Sequence, residues 1–302
     1  MFYIGVVNPF IMIKLSVFSV ALFLVVGCTQ PPAQLSKDSG IGNRNTERVY
    51  SKFVADSFSI SVSLPIGYDR MASKKYPVVY LLDGNLYFDI IAVALNKYSE
   101  VGLAPEVILV GIGYKDFSAM DSLRTRDDTY PEALPKYEMS VSGGADKFLS
   151  FLEKELAPKM DNKYKTDRVN RILMGHSLGG YFTSFALFNT LAGKNTAFNG
   201  FVAASPSLHY NKYYLLSKFK GLSEPLNKAA KLKAYITFGG LEDGDREPEM
   251  MKLKDLTSSL DKLLTKQSNV LDYRDDLFSN LGHMDTQLPT FIKGVQWILK
   301  EK

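Results

Sequence analysis

The order of apolar and polar positions along the chain predicts an alternation of strands and helices. Residues 58–64 alternate strictly between apolar and polar side chains, which is typical of a half-exposed strand near a sheet edge. Residues 76–82 and 107–112 are instead continuous apolar runs, the pattern of central parallel strands covered on both faces. Residues 144–163 carry apolar side chains at helical spacing, and a strand candidate at 169–174 follows directly.

The same alternation continues to the C-terminus. Further segments of strand-like or helical pattern are 182–191, 201–204, 213–219, 234–238, 250–264, 272–278 and 288–299. Strands that alternate with helices favour a doubly wound, mostly parallel α/β sheet with helices on both faces. At 302 residues, one such sheet with a single large core is feasible.

The N-terminal segment has the pattern of a secretory signal peptide. Lys14 precedes an apolar run at 15–26, and Gly27-Cys28 follows. The run is too short for a comfortable membrane span, and the small-residue step before Cys28 resembles a bacterial lipobox, in which the cysteine is lipidated. Two alternatives stay open: an uncleaved helix at 4–26, and a true start at Met12.

This interpretation divides the chain into three parts. They are a lipoprotein signal peptide at 1–27, a flexible tether at 28–45 that is rich in Pro, Gln, Ser, Gly and Asn, and a folded domain at 46–302. We therefore expect an exported protein held at the periplasmic face of the cell envelope by a lipid on Cys28. Thr29, rather than Asp, after the cysteine favours the outer membrane.

Composition excludes several classes of function. The net charge is +4, and no stretch of Lys and Arg is dense enough to predict a nucleic-acid surface. Cys28 is the single cysteine, so once it is acylated the domain has no thiol for a disulfide, a nucleophile or a zinc site. With three histidines in the whole chain, a metal centre is poorly supported, and we expect no cofactor.

The segment Gly175-His176-Ser177-Leu178-Gly179-Gly180 lies where a predicted strand meets a predicted helix. This is the pattern of the nucleophile elbow, a sharp strand-to-helix turn that holds a serine in a strained conformation between small neighbours. Because of that placement, we predict that Ser177 is a nucleophile of an α/β-hydrolase fold. An accidental glycine-rich turn is the alternative.

A serine hydroxyl needs a base, and in this fold the triad follows the order serine, acid, histidine. His283 satisfies that order, whereas His176 adjoins the nucleophile and His209 precedes the strand expected to carry the acid. The acid should follow the strand at 234–238. Three carboxylates compete for this role there: Glu242, Asp243 and Asp245.

The oxyanion formed during acyl transfer needs preorganised donors. The backbone amide of Leu178, the residue after the nucleophile, is expected to supply one of them. The second should come from the loop Asp83-Gly84-Asn85 after the strand at 76–82, with Asn85 as the preferred donor. An ordinary turn is the alternative for this loop, since Asp-Gly is a common turn pair.

From about residue 50 to 297 the chain resembles the putative esterase family, which includes enterochelin esterases, S-formylglutathione hydrolases, feruloyl esterases and mycolyl transferases. The segments that carry the resemblance are 80–85 (Tyr-Leu-Leu-Asp-Gly-Asn), 124–131 (Arg-Thr-Arg-Asp-Asp-Thr-Tyr-Pro), the serine elbow, 205–207, 239–242 and 282–283. Two of them, 80–85 and 124–131, are most similar to the siderophore-esterase branch. That resemblance implies hydrolysis of ester bonds in catecholate siderophores and places the triad acid at Glu242.

Substrate contacts are open to two interpretations. Arg124 and Arg126, taken to lie on a loop, could clamp a carboxylate or catecholate, or could pair with Asp127 and Asp128. A set of aromatic side chains could line an aromatic or acyl pocket, or could pack as core: Tyr87, Phe88, Tyr114, His209 and Tyr210.

Ester hydrolysis through an acyl-serine intermediate is the leading hypothesis for the function. Transfer to an acceptor other than water is the alternative within enzymes. A non-catalytic binding lipoprotein with the same fold is the alternative outside them, although the intact serine and histidine argue against it.

Overall fold

The computed structural model describes residues 44–194, 197–223, 231–244 and 248–300. The strands, in chain order, are β1 (Arg44–Ser51), β2 (Asp56–Ser63), β3 (Tyr76–Leu81), β4 (Ile108–Gly113), β5 (Thr166–His176), β6 (Gly200–Ala204), β7 (Leu232–Gly239) and β8 (Leu271–Phe278). The helices are α1 (Gly84–Glu100), α2 (Phe117–Asp128), α3 (Ala145–Phe151), α4 (Ala157–Lys163), α5 (Leu178–Leu191), α6 (Tyr210–Lys220), α7 (Leu253–Thr265) and α8 (Gln287–Ile298). A π-helical segment, Leu152–Leu156, joins α3 to α4.

All eight strands form one sheet in the order β1-β2-β4-β3-β5-β6-β7-β8. The pairs β1–β2 and β2–β4 are antiparallel, and the pairs from β4 to β8 are parallel. This is the doubly wound, mostly parallel α/β-hydrolase sheet that the sequence predicts.

Alternate residues of the central strands pack into two separate hydrophobic layers. In β3, Val78 and Tyr80 join the larger layer, under α3 to α7, whereas Val79 and Leu81 join the smaller layer under α1 and α8. Successive strand side chains point to opposite faces, so a strand that is covered on both faces needs apolar residues at every position. That requirement explains the continuous apolar run at 76–82.

Two details differ from the sequence prediction. β1 begins at Arg44, two residues before the predicted start of the domain. The serine face of β2 is partly exposed at Ser57 and Ser59 but buried at Ser61 and Ser63, which form hydrogen bonds with β1 and α1: the Thr46 and Ser61 hydroxyls are 2.9 Å apart, and Asn96 Nδ2 donates to Ser63 Oγ at 3.4 Å.

Within the described ranges, no helix has both the length and the apolar character needed to cross a bilayer. The predicted signal peptide, Cys28 and nearly all of the predicted tether lie outside the described residues. The lipid anchor therefore stays a prediction.

The candidate functional residues lie at the carboxyl ends of the parallel strands. β3, β5, β6 and β7 end at neighbouring points of one sheet edge, and the loops that leave them carry Asp83, Ser177, Ser205 and Glu242. In open α/β sheets, ligands bind at this edge because the loops there converge from strands that run in the same direction.

Gly294 lies where α8 packs closely against the sheet, so a substitution at this position tests that packing. A Cβ at this position would lie 2.6 and 2.7 Å from the methyl carbons of Val202. Alanine in place of glycine normally stabilises a helix by about 1 kcal/mol. Overpacking a core, however, costs about 1–3 kcal/mol of stability. We expect Gly294→Ala to lower the free energy of unfolding, and the melting temperature by several degrees, in thermal denaturation.

Gly244→Ala is the matched control for this prediction, since a Cβ there meets no atom within 4 Å. It should melt like the wild type. A Gly294→Ala protein that melts at or above the wild-type temperature would contradict the proposed close packing.

Candidate active site

Ser177 occupies a strained turn between β5 and α5. Its backbone has φ 59° and ψ −115°, a conformation that is costly for any residue with a side chain. The turn is tight enough that a Cβ on Gly175 would lie 2.4 Å from the carbonyl oxygen of Gly179. The amide of Ser177 donates to the carbonyl of Ala204 on β6 at 3.0 Å. The glycines on both sides are thus a steric requirement of the turn.

The three predicted triad side chains lie together at the sheet edge. His283 Nε2 is 3.0 Å from the Ser177 hydroxyl oxygen, and His283 Nδ1 is 3.3 Å from Glu242 Oε2. His283 lies in the turn after β8, and Glu242 lies in the turn after β7. This arrangement of hydroxyl, imidazole and carboxylate is the one in which a serine is activated for nucleophilic attack.

Glu242 is a buried carboxylate with three hydrogen-bond donors. Ser205 Oγ and the amide of Gly239 each donate to its Oε1 at 2.6 Å, and His283 faces Oε2. Burial alone would raise the pKa of Glu242, but the hydrogen bonds from His283, Ser205 and Gly239 hold it below its usual range. The carboxylate is therefore ionised at neutral pH and can stabilise a positive charge on His283.

The competing carboxylate Asp243 has a different partner. Its Oδ1 accepts a hydrogen bond from the amide of Leu253 at 2.8 Å, at the first residue of α7. A carboxylate at a helix N-terminus satisfies an amide that lacks a partner within the helix. The third candidate, Asp245, lies outside the described residues. Of the two described carboxylates, Glu242 is the one that faces the imidazole.

The predicted oxyanion donors lie at the first turns of two helices. Leu178 is the first residue of α5 and Asn85 is the second residue of α1, and the amides of a first helical turn have no acceptor within the helix. The two turns are close, because a Cβ on Gly179 would lie 3.2 Å from Asp83 Oδ2. The Asn85 side chain is used elsewhere: it donates to the carbonyl of Tyr114 and accepts from its amide.

Arg124 and Arg126 lie on helix α2 rather than on a loop, and both are engaged in ion pairs within the protein. Arg124 donates to both carboxylate oxygens of Asp83, at 2.9 and 2.8 Å. Arg126 binds Asp127 in the same bidentate way and also donates to Asp56 at 2.9 Å. The sequence did not predict α2, because its apolar residues follow no clear helical pattern. The helix begins after Asp116, whose side chain accepts a hydrogen bond from the amide of Ala119.

Of the aromatic candidates, one reaches a cavity beside the triad. His209 lines a cavity of about 250 Å³ together with His283, Glu242, Ser207 and Met250. Tyr114, by contrast, is buried, and its hydroxyl donates to Asp127 at 3.0 Å. Tyr87, Phe88 and Tyr210 are also buried. These four side chains pack as core.

Sequence reasoning set His176 aside, yet this residue holds the loop that carries His283. His176 Nε2 is 2.8 Å from the backbone carbonyl of His283, and since a carbonyl can only accept, Nε2 carries the proton. Nδ1 then accepts from the hydroxyl of Tyr87 at 3.0 Å. Burial lowers the pKa of His176 to about 4 and raises that of Tyr87 to about 12, so both stay neutral in these roles.

Among the described residues, no three His, Cys, Asp or Glu side chains are clustered so that they could hold a metal ion. The arrangement provides a nucleophile, a base, a buried anion and two helix N-termini. Together these groups can carry out acyl transfer.

Comparisons with known proteins give one consistent result. A family model described as putative esterase matches residues 51–215. Ferri-bacillibactin esterase BesA of Bacillus subtilis is 31% identical over 266 residues, which cover 83% of this chain and 85% of the relative. Apo-salmochelin esterase of Escherichia coli O6:H1 is 30% identical over 217 residues, or 69% of this chain and 64% of the relative.

The solved structures agree with the sequence relatives. The crystal structure of the BES protein from Bacillus cereus matches with a TM-score of 0.71 and 27% identity, and the match covers 85% of this chain and 94% of that one. The fold thus agrees with the sequence similarity.

The buried, neutral His176 leads to a prediction about pH and stability. Its pKa is about 4 in the folded protein and ordinarily about 6.5, so the unfolded chain takes up a proton first as the pH falls. The contribution of neutral His176 to the free energy of unfolding is complete above pH 6.5. Roughly 3 kcal/mol of it is lost as the pH falls from 6.5 to 4.

The measurement is urea denaturation of the wild type and of His176→Asn across this pH range. The variant should be less stable at neutral pH, because it loses the histidine's hydrogen bonds, but its stability should fall less steeply toward pH 4. Parallel pH profiles for the two proteins would contradict a neutral His176.

Proposed function

Because the chain belongs to the putative esterase family, we propose that it hydrolyses ester bonds of catecholate siderophores, with Ser177, His283 and Glu242 as its catalytic triad. The chain is a serine carboxylic ester hydrolase. The observation that carries the assignment of the triad is the 3.0 Å contact between His283 Nε2 and the Ser177 hydroxyl, with Glu242 behind the imidazole.

In this proposal, His283 removes the hydroxyl proton as Ser177 Oγ attacks the ester carbonyl carbon. The resulting oxyanion accepts hydrogen bonds from the amides of Leu178 and Asn85. Glu242 stabilises the imidazolium, which then donates its proton to the departing alcohol. Water, deprotonated by the same imidazole, attacks the acyl-serine, and the acid product leaves with the serine regenerated.

The substrate class is supported by two relatives whose names state what they act on. One is an esterase of ferri-bacillibactin and the other an esterase of apo-salmochelin. The cavity beside the triad supports an organic ester as well, because Pro206, Met250 and Leu256 provide apolar surface beside polar serines. A panel of short-chain, feruloyl and catecholate esters tests this part of the proposal, since a siderophore esterase should have its highest kcat/KM on the catecholate ester.

We also propose that the enzyme works at the cell envelope, held there by a lipid on Cys28. The support is the sequence of the N-terminus, in which an apolar run and a small residue precede this cysteine.

The triad assignment predicts a non-additive set of losses. Ser177→Ala and His283→Ala should each lower kcat on a short-chain ester by about a thousandfold or more, and the double variant should be hardly worse than either. If Ser177→Ala retained more than about a tenth of wild-type turnover, a loss below about 1.4 kcal/mol of barrier, Ser177 could not be the nucleophile.

Two single variants, Glu242→Gln and Asp243→Asn, show which of the two described carboxylates is the triad acid. Glu242→Gln should lower kcat strongly, whereas Asp243→Asn should lower the melting temperature slightly and leave kcat near the wild-type value. If Asp243→Asn lowered kcat more than Glu242→Gln does, Asp243 would be the triad acid instead.

The anchor predicts the behaviour of Cys28→Ser. This variant should not be acylated and should move from the membrane fraction to the soluble fraction, with unchanged specific activity on a short-chain ester. Fractionation followed by mass spectrometry of the N-terminus checks both points. Membrane retention of Cys28→Ser would instead favour an uncleaved apolar helix.

A further inference from the structure

A second cavity, of about 490 Å³, adjoins the one beside the triad. The two cavities share His209 and Met250 in their walls. The remaining lining of the second cavity is mainly cationic and aromatic: it consists of Lys136, Tyr137, Lys212, Tyr213 and one carboxylate, Glu249. A substrate whose ester group reaches Ser177 could therefore extend into this space.

One wall of the second cavity is an unusual turn of backbone. Asn211, Lys212 and Tyr213 have φ values of 48°, 55° and 61°, so three successive residues with side chains take the left-handed conformation. Such a turn is unfavourable for L-residues and persists only where other contacts hold it.

The Asn211 side chain holds this left-handed turn. Its Oδ1 accepts from the amide of Leu134 at 2.9 Å, and its Nδ2 donates to the carbonyl of Glu132 at 2.7 Å. The turn carrying Lys212 is thereby tied to the segment that carries Lys136. These hydrogen bonds thus hold the two backbone segments that carry the lysines close together.

The two tyrosines contribute ring surface rather than hydroxyl groups. The hydroxyl of Tyr137 donates to the carbonyl of His209 at 3.2 Å, and that of Tyr213 accepts from the amide of Met251 at 2.6 Å. With these hydrogen bonds made, the hydroxyls orient the rings. Aromatic walls of this kind suit a flat aromatic ligand.

The charge of the cavity is not neutralised by ion pairs. Within the described part of the chain, neither Lys136 nor Lys212 has a carboxylate within ion-pair distance, and both are exposed. Glu249 is the one carboxylate of this cavity's wall. Arg124 and Arg126 are paired with aspartates of the protein, so these lysines are better placed to attract an anion.

We propose that this second cavity is a subsite for an anionic aromatic group of the ester substrate, recognised by Lys136 and Lys212 over the rings of Tyr137 and Tyr213. The inference rests on the proposed function, because it assumes that the substrate's ester lies at Ser177. It assigns specificity to residues outside the triad.

The test is titration calorimetry of the full chain with two ligands of the same shape. 2,3-Dihydroxybenzoate carries the charge, and 2,3-dihydroxybenzamide lacks it. The wild type should bind the benzoate more tightly. Lys136→Gln and Lys212→Gln should each raise the Kd for the benzoate about threefold, and the double variant about tenfold, with the Kd for the amide changed less than about twofold.

Two control variants have different expected effects on the Kd for the benzoate. Glu249→Gln removes the negative charge of the wall and should lower the Kd for the benzoate. Lys218→Gln removes an exposed lysine of the same helix that does not line the cavity, and it should leave both Kd values unchanged. Equal affinity for the two ligands, or the same loss in Lys218→Gln as in the cavity variants, would overturn the subsite.

Hydrolysis of 4-nitrophenyl acetate by the same preparations separates this proposal from the proposed function. If the wild type hydrolyses this neutral ester but the Kd for the benzoate is the same in the lysine variants as in the wild type, the subsite fails and the esterase function stands. If lysine-dependent benzoate binding occurs without any ester hydrolysis, the lysines form an anion site and the proposed function fails.

Discussion

The strained turn at Ser177 is the constraint on which the rest of the site depends. A serine with φ 59° and ψ −115° is held by the hydrogen bond from its amide to Ala204 on the neighbouring strand, and the close approach of Gly175 to Gly179 leaves no room for a side chain at position 175. The hydroxyl is thereby lifted above the sheet edge, while α5 begins directly beneath it. One local distortion places the proposed nucleophile beside a helix N-terminus.

Charged groups buried behind the turn connect it with the loop after β3. Arg124 binds Asp83 through two hydrogen bonds and also donates to the carbonyl of His176 at 3.4 Å. Asp128 lies nearby, and burial together with Asp83 raises the pKa of Asp128 well above its usual range. Losing one partner of such a buried pair would leave an uncompensated charge, so the network resists displacement of either loop.

The two adjacent histidines at this edge have different environments and therefore different uses. His176 is buried and neutral and binds the main chain of His283, whereas the ring of His283 is about one-third exposed and faces Ser177. The rings lie 4.8 Å apart. A neutral neighbour matters here, because a second positive charge at this distance would oppose the imidazolium that ester hydrolysis requires.

Local pattern was sufficient for most of the fold and for naming the three side chains that the structure brings together as the proposed triad. Periodicity located the covered strands, because strands buried on both faces must be apolar throughout, and glycine spacing located Ser177, because the turn excludes Cβ atoms. Chain order and the small number of histidines then singled out His283. Glu242 could only be preferred over Asp243, since residues one position apart in a turn cannot be ranked without knowing which way each side chain points.

Tertiary structure alone decided which groups meet across long stretches of chain. Arg124 and Asp83 are 41 residues apart, Arg126 and Asp56 are 70 apart, and His176 and His283 are 107 apart. A charged or polar residue can satisfy itself with solvent, a neighbour or a distant partner, and its local sequence is the same in each case. The sequence therefore determined which reactive groups this protein has and along which strand ends they lie, whereas packing determined their partners, because burial is what makes a partner obligatory.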